Sequence, residues 1–114
     1  MELDEKMLLL LVYLAGGILL VILALPLIRN KVKPNYWYGF RVAKTLEDPD
    51  IWYAVNRYTG KWLLVTGVCT IIGALILYLI PGLSLDAYAL AVLGVFVAAF
   101  SICLVQSIRY LRSL

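Results

Sequence analysis

Asn35, Gly39, Arg41, Thr45, Trp52, Asn56 and Gly60 all fall within one stretch, KPNYWYGFRVAKTLEDPDIWYAVNRYTGK, which runs from Lys33 to Lys61. An Arg guanidinium can grip a carboxylate or phosphate through two parallel hydrogen bonds, and an Asn amide both donates and accepts. Trp52, Asn56 and Gly60 recur every fourth residue, so a helix would present them on one face. The expectation is a cluster of Asn35, Arg41, Trp52 and Asn56 that either fixes the loop or offers donors to a phosphate or a partner carboxylate. The competing expectation for Arg41 is simple snorkelling to lipid. Acid–base chemistry has few candidates: Glu47, Asp48, Asp50, Arg41 and the Tyr hydroxyls. Asp48 and Asp50 already have a role at a helix start, so no enzyme is expected. With no His and two isolated Cys, neither a metal site nor a cofactor is expected.

The elements that must position this stretch are apolar. Of 114 residues, 64% are hydrophobic and 15% charged, and mean hydropathy is +0.95. That balance lies outside the range of soluble domains. Three uncharged runs, about 7–28, 62–80 and 87–108, each reach roughly 28–33 Å as helices, the thickness of a hydrocarbon core. The expected fold is therefore all-α: one domain over 1–114, with three transmembrane helices and a loop over 29–61. The first run has an acidic leading flank (MELDEK) and a basic trailing one (RNKVK). That is the reverse of a cleavable signal, so it reads as a helix of the mature protein.

Basic residues set the expected orientation. The loop carries Arg29, Lys31, Lys33, Arg41, Lys44, Arg57 and Lys61, and the tail adds Arg109 and Arg112. The other side has Lys6 among Glu2, Asp4, Glu5 and Asp86. The positive-inside rule then predicts the N-terminus outside, the loop and the C-terminus inside. The net charge of +3 follows from topology and anionic lipid, without nucleic acid.

In lipid, small residues report helix packing better than apolar ones. Ala87, Ala91, Gly94, Ala98 and Ser101 share one face of the third span, and Thr66, Thr70, Gly73 and Ala74 form a stripe on the second. A short connection makes these spans an antiparallel hairpin whose two stripes are expected to meet. Cys69 and Cys103 lie at similar depths and read as small packing residues. No Asp, Glu, Lys, Arg or His lies inside these three runs, which disfavours a pump or coupled transporter.

Within the loop, EDPDIW is a helix start: Asp48 as cap, Pro49 in the first turn, Asp50 where the helix dipole favours negative charge. Ile51, Trp52, Val55, Tyr58 and Trp62 then make an apolar face. This predicts an amphipathic interfacial helix before the second span, with a bend at Gly60. Tyr36, Trp37, Tyr38, Tyr53 and their neighbours fit an interfacial aromatic belt.

The polar residues spaced among these aromatics, N-x3-G-x-R-x3-T-L-x5-W-x3-N-x3-G from Asn35 to Gly60, resemble the SdpI-like family of small bacterial and archaeal integral membrane proteins. The likeness covers the loop and the second span. That family's pattern has Thr after the Gly-x-Arg turn, where this chain has Val42. The resemblance implies a protein of the cytoplasmic (inner) membrane without known enzymatic chemistry. The family's namesake gives immunity to a secreted peptide toxin and takes part in signalling. The implied partners are the lipid bilayer, a peptide toxin or another membrane protein, with self-association compatible with so thin a bundle. Two other classes stay open: an accessory subunit of a larger membrane complex, and a lipid-headgroup enzyme.

Overall fold

A computed structural model describes residues 4–114. The order is α1 (Glu5–Ile28), α2 (Ala43–Glu47), α3 (Pro49–Tyr78) and α4 (Leu85–Ser113). The protein is all-helical, and α1, α3 and α4 are long and apolar enough to cross a membrane. Each long helix starts at a side-chain cap. Asp4 accepts from the Met7 N–H (2.7 Å), Asp48 from the Asp50 N–H (2.9 Å) and Ser84 from the Ala87 N–H (3.1 Å). Pro26 sits in the last turn of α1, where its missing donor costs little.

The three long helices alternate in direction, with α3 in the middle, and the molecule is flat, 51 × 26 × 18 Å. Where α1 crosses α3, Gly17 and Gly67 face each other backbone to backbone. A Cβ on Gly67 would lie 2.8 Å from the Gly17 carbonyl oxygen, and one on Gly17 would lie 2.9 Å from that of Gly67. Close approach of this kind gains dispersion contacts that lipid cannot supply. Between α3 and α4, Gly73 meets Val95, Thr59 Oγ1 donates to Ser107 Oγ (2.8 Å), and the buried Tyr88 donates to the Ala74 carbonyl (3.0 Å).

Two expectations are corrected here. The segment from Asp48 is not a separate element before the second span; it is the start of one 30-residue helix. Gly60 serves close packing, since a Cβ there would lie 3.0 Å from both Leu27 Cβ and Ile28 Cγ1. Residues 49–59 therefore run past the end of α1, as a helix of about 45 Å must when the hydrocarbon core is about 30 Å. Trp52 and Val55 face protein there, both fully buried. The second correction concerns α4, whose small-residue stripe does not meet α3. Ala87, Gly94, Ala98 and Ser101 are exposed and Ala91 is half-buried, while Tyr88, Val92, Cys103 and Ser107 are buried. Aromatic stacking and hydroxyl pairing offer more contact than a bare stripe, and they set the rotation of α4. Both cysteines are free, and Cys103 Sγ lies 3.9 Å from the Thr59 carbonyl oxygen.

Candidate functional site

The exposed backbone of a loop beside a membrane needs partners for its N–H and C=O groups, and the spaced motif supplies them. Asn35 builds the first turn: its Oδ1 accepts from the N–H groups of Trp37 and Tyr38 (both 2.8 Å), while its Nδ2 donates to the Lys33 carbonyl (2.7 Å). Tyr38 then reaches down the flank of α1 and its hydroxyl donates to the Leu23 carbonyl. Burial pushes the Tyr38 phenol above its ordinary pKa and keeps it a donor.

Gly39 has φ +113°, and a Cβ there would lie 2.7 Å from Asn56 Oδ1 and 3.1 Å from the Trp52 ring. Both its backbone angle and its neighbours demand glycine. The next residue is held at both ends: Asn56 Oδ1 accepts from the Phe40 N–H (2.6 Å), and Thr45 Oγ1 lies 3.0 Å from the Phe40 carbonyl oxygen. Thr45 also accepts from the Val42 N–H (3.0 Å), which fixes the start of α2. Trp52 donates its indole N–H to the Val32 carbonyl (2.9 Å), tying the other limb of the loop to α3. Thr45 and Trp52 are fully buried and Asn56 is 2% exposed.

The structure thus brings Asn35, Gly39, Thr45, Trp52 and Asn56 into one folded unit on the projecting turns of α3, with Gly60 below it against α1. It does not bring Arg41 into that unit. Arg41 is exposed, and its Nη1 donates to the Tyr36 carbonyl on the outer side of the turn. The amide of Asn56 is engaged by Phe40 and Trp52, so the outward-facing groups are Arg41, Tyr36 (75% exposed) and Trp37 (87% exposed). The loop end as a whole is cationic: Arg29, Lys31, Lys33, Lys44, Arg57, Lys61, Arg109 and Arg112 are all exposed.

Sequence reasoning missed the seating of this unit on α4. Tyr58 stacks on Tyr110 (4.4 Å between centroids), and Lys44 Nζ donates to the Leu111 carbonyl (3.1 Å). Nothing in the local spacing signals either contact. The Gly17–Gly67 crossing did leave a trace, the doublet Gly16–Gly17 inside an otherwise bulky run. Among the described residues no cluster of His, Cys, Asp or Glu could hold a metal ion.

Comparison with curated proteins and with solved structures returned no match. The match to a family model is extensive: it covers residues 31–107, taking in the folded loop, α2, α3 and most of α4. Those residues hold every part of the motif unit, and on that match the chain belongs to the SdpI/YfhL protein family.

Proposed function

We propose that this protein protects its cell against a membrane-active peptide toxin, acting as a non-enzymatic membrane factor whose basic loop end also offers a surface for a signalling partner. The observation that carries this reading is the family match over 31–107, which coincides with the folded loop and the two helices that seat it. No coupled transport is expected of spans whose apolar runs hold no Asp, Glu, Lys, Arg or His. The proposed setting is the cytoplasmic membrane, with the loop inside and the N-terminus outside, supported by the exposed cations at the loop end. Expression in a strain sensitive to membrane-active peptides secreted by the source organism should raise survival while leaving the peptide intact. Unchanged survival across those peptides would remove the reading. Orientation has its own test: in a background lacking Cys69 and Cys103, Pro81→Cys should react with an impermeant thiol reagent on intact cells and Lys31→Cys should not.

A second reading, an accessory subunit or a homo-oligomer, is supported by the exposed stripe of α4. A Cβ at Gly94 would meet nothing within 4 Å, which leaves that face open to another helix. Co-purification of a stoichiometric membrane partner without any gain in peptide resistance would favour it.

A further inference from the structure

α3 packs closely against both neighbours, whereas α1 and α4 flank it and touch each other sparingly, as where Tyr13 donates to the Ala89 carbonyl (2.8 Å). The seam between them holds two cavities that share Val12. The deeper, of about 400 Å³, is walled by Gly16, Leu19 and Leu20 of α1 and by Leu93 and Phe96 of α4. The outer, of about 390 Å³, runs past Leu8 and Ala89 to a rim formed by Glu5 and Asp86. Val12, Leu19 and Leu93 are 63%, 53% and 46% exposed, so the seam opens sideways toward lipid.

Charge restricts what can fill it. Lys6, the one basic side chain at this end among the described residues, turns elsewhere: its Nζ donates to the Leu83 carbonyl (3.0 Å) and stands 5.6 and 5.5 Å from the Tyr78 and Tyr88 ring centres. The rim thus presents two exposed carboxylates above an apolar trough. Phospholipid headgroups, zwitterionic or anionic, would bring a phosphate and no net positive charge to match them. A second copy in the same membrane would bring the same two acids, since both copies share one orientation. An occupant with a basic end and an apolar body meets neither penalty. From Glu5 to Leu20 the α1 wall is about 22 Å long, the length of a helix of about 15 residues. Gly16 lines the trough with nothing within 4 Å of a would-be Cβ, which permits close approach of another helix backbone.

We propose that the α1–α4 seam is the docking groove for a cationic, apolar-bodied helical peptide, its basic end against Glu5 and Asp86 and its body against Gly16. This rests on the protective reading above and names the class of peptide and its place. The test uses the full chain in phosphatidylcholine nanodiscs and two synthetic Leu/Ala helices of about 18 residues, one ending in two lysines and its twin in two glutamates. The lysine-ended helix should bind about tenfold more tightly, as two partly exposed ion pairs would give. Glu5→Gln with Asp86→Asn should erase that preference, and Gly16→Leu should weaken both peptides without lowering thermal stability. Equal binding of the two helices to the wild type, or a preference that survives the double substitution, would overturn the proposal. So would spontaneous disulfide dimers of Gly16→Cys, which would assign the groove to a second copy. Cell survival reads out separately. Protection without discrimination between the two peptides overturns the groove and leaves the protective reading standing, whereas discrimination without protection does the reverse.

Discussion

Asn56→Ala isolates the contact on which the loop unit depends. In the native protein the Asn56 amide accepts from the Phe40 N–H at 2.6 Å and donates to the Trp52 carbonyl at 3.0 Å. Truncation removes that acceptor and leaves the Phe40 N–H facing a space vacated beside Gly39. The Phe40 carbonyl keeps Thr45, and the Trp52 carbonyl keeps its helical partner, so the loss is centred on one donor. An orphaned buried donor costs about 1–3 kcal/mol; Phe40 is half-buried, and a value of about 2 kcal/mol corresponds to a roughly 30-fold rise in loop opening. Hydrogen–deuterium exchange in nanodiscs, followed on the peptide covering residues 36–46, measures that opening directly. The spans do not rely on this contact, so helical content should be unchanged. Exchange within about twofold of wild type would refute the claim that Asn56 holds the loop, whatever else the variant did.

Four further outcomes follow from the same geometry. Gly67→Ala places a methyl 2.8 Å from the Gly17 carbonyl oxygen and should lower stability in detergent by about 1–3 kcal/mol, whereas Gly16→Ala, with open space around it, should leave the melting curve unchanged. Val42 caps α2 in extended geometry without a side-chain hydrogen bond, so Val42→Thr should supply the missing acceptor and slow exchange over residues 42–47, a gain of about 0.5–1 kcal/mol. Arg41→Lys keeps a donor for the Tyr36 carbonyl and should change loop exchange by less than about twofold; a large loss would show that the planar fork binds something beyond this carbonyl. Because burial raises the Tyr38 pKa above 10.0, the neutral phenol's contribution is complete below that value, where the opened loop is also protonated. It is lost as pH rises through the folded value, so the loop should loosen progressively at alkaline pH, by a component that Tyr38→Phe removes in tryptophan fluorescence titrations.

Three spans, the start of α3 and the spaced loop motif were legible without coordinates, and each for a local reason. A run of about 20 uncharged residues has one stable disposition in a bilayer, and Asp-Pro-Asp starts a helix through its own side chains and fixed φ. The glycine and asparagine of the motif could be singled out by type, because few residues can turn a chain through positive φ or satisfy a donor and an acceptor at once. Tertiary structure decided which way things face. The α4 stripe looked like an interface because small residues permit close packing, but permission is not attraction. Tyr88 bonding the Ala74 carbonyl and Ser107 bonding Thr59 turned the helix the other way. Arg41 sits two residues from Gly39, within the motif, yet the turn that Asn35 and Gly39 build points it outward and leaves Asn56 to take the Phe40 N–H. Burial in lipid is not set by hydropathy, since every face of a span is apolar. Rotation is settled by what meets across the helices, the hydroxyl hydrogen bonds between α3 and α4 and the Gly17–Gly67 close approach between α1 and α3.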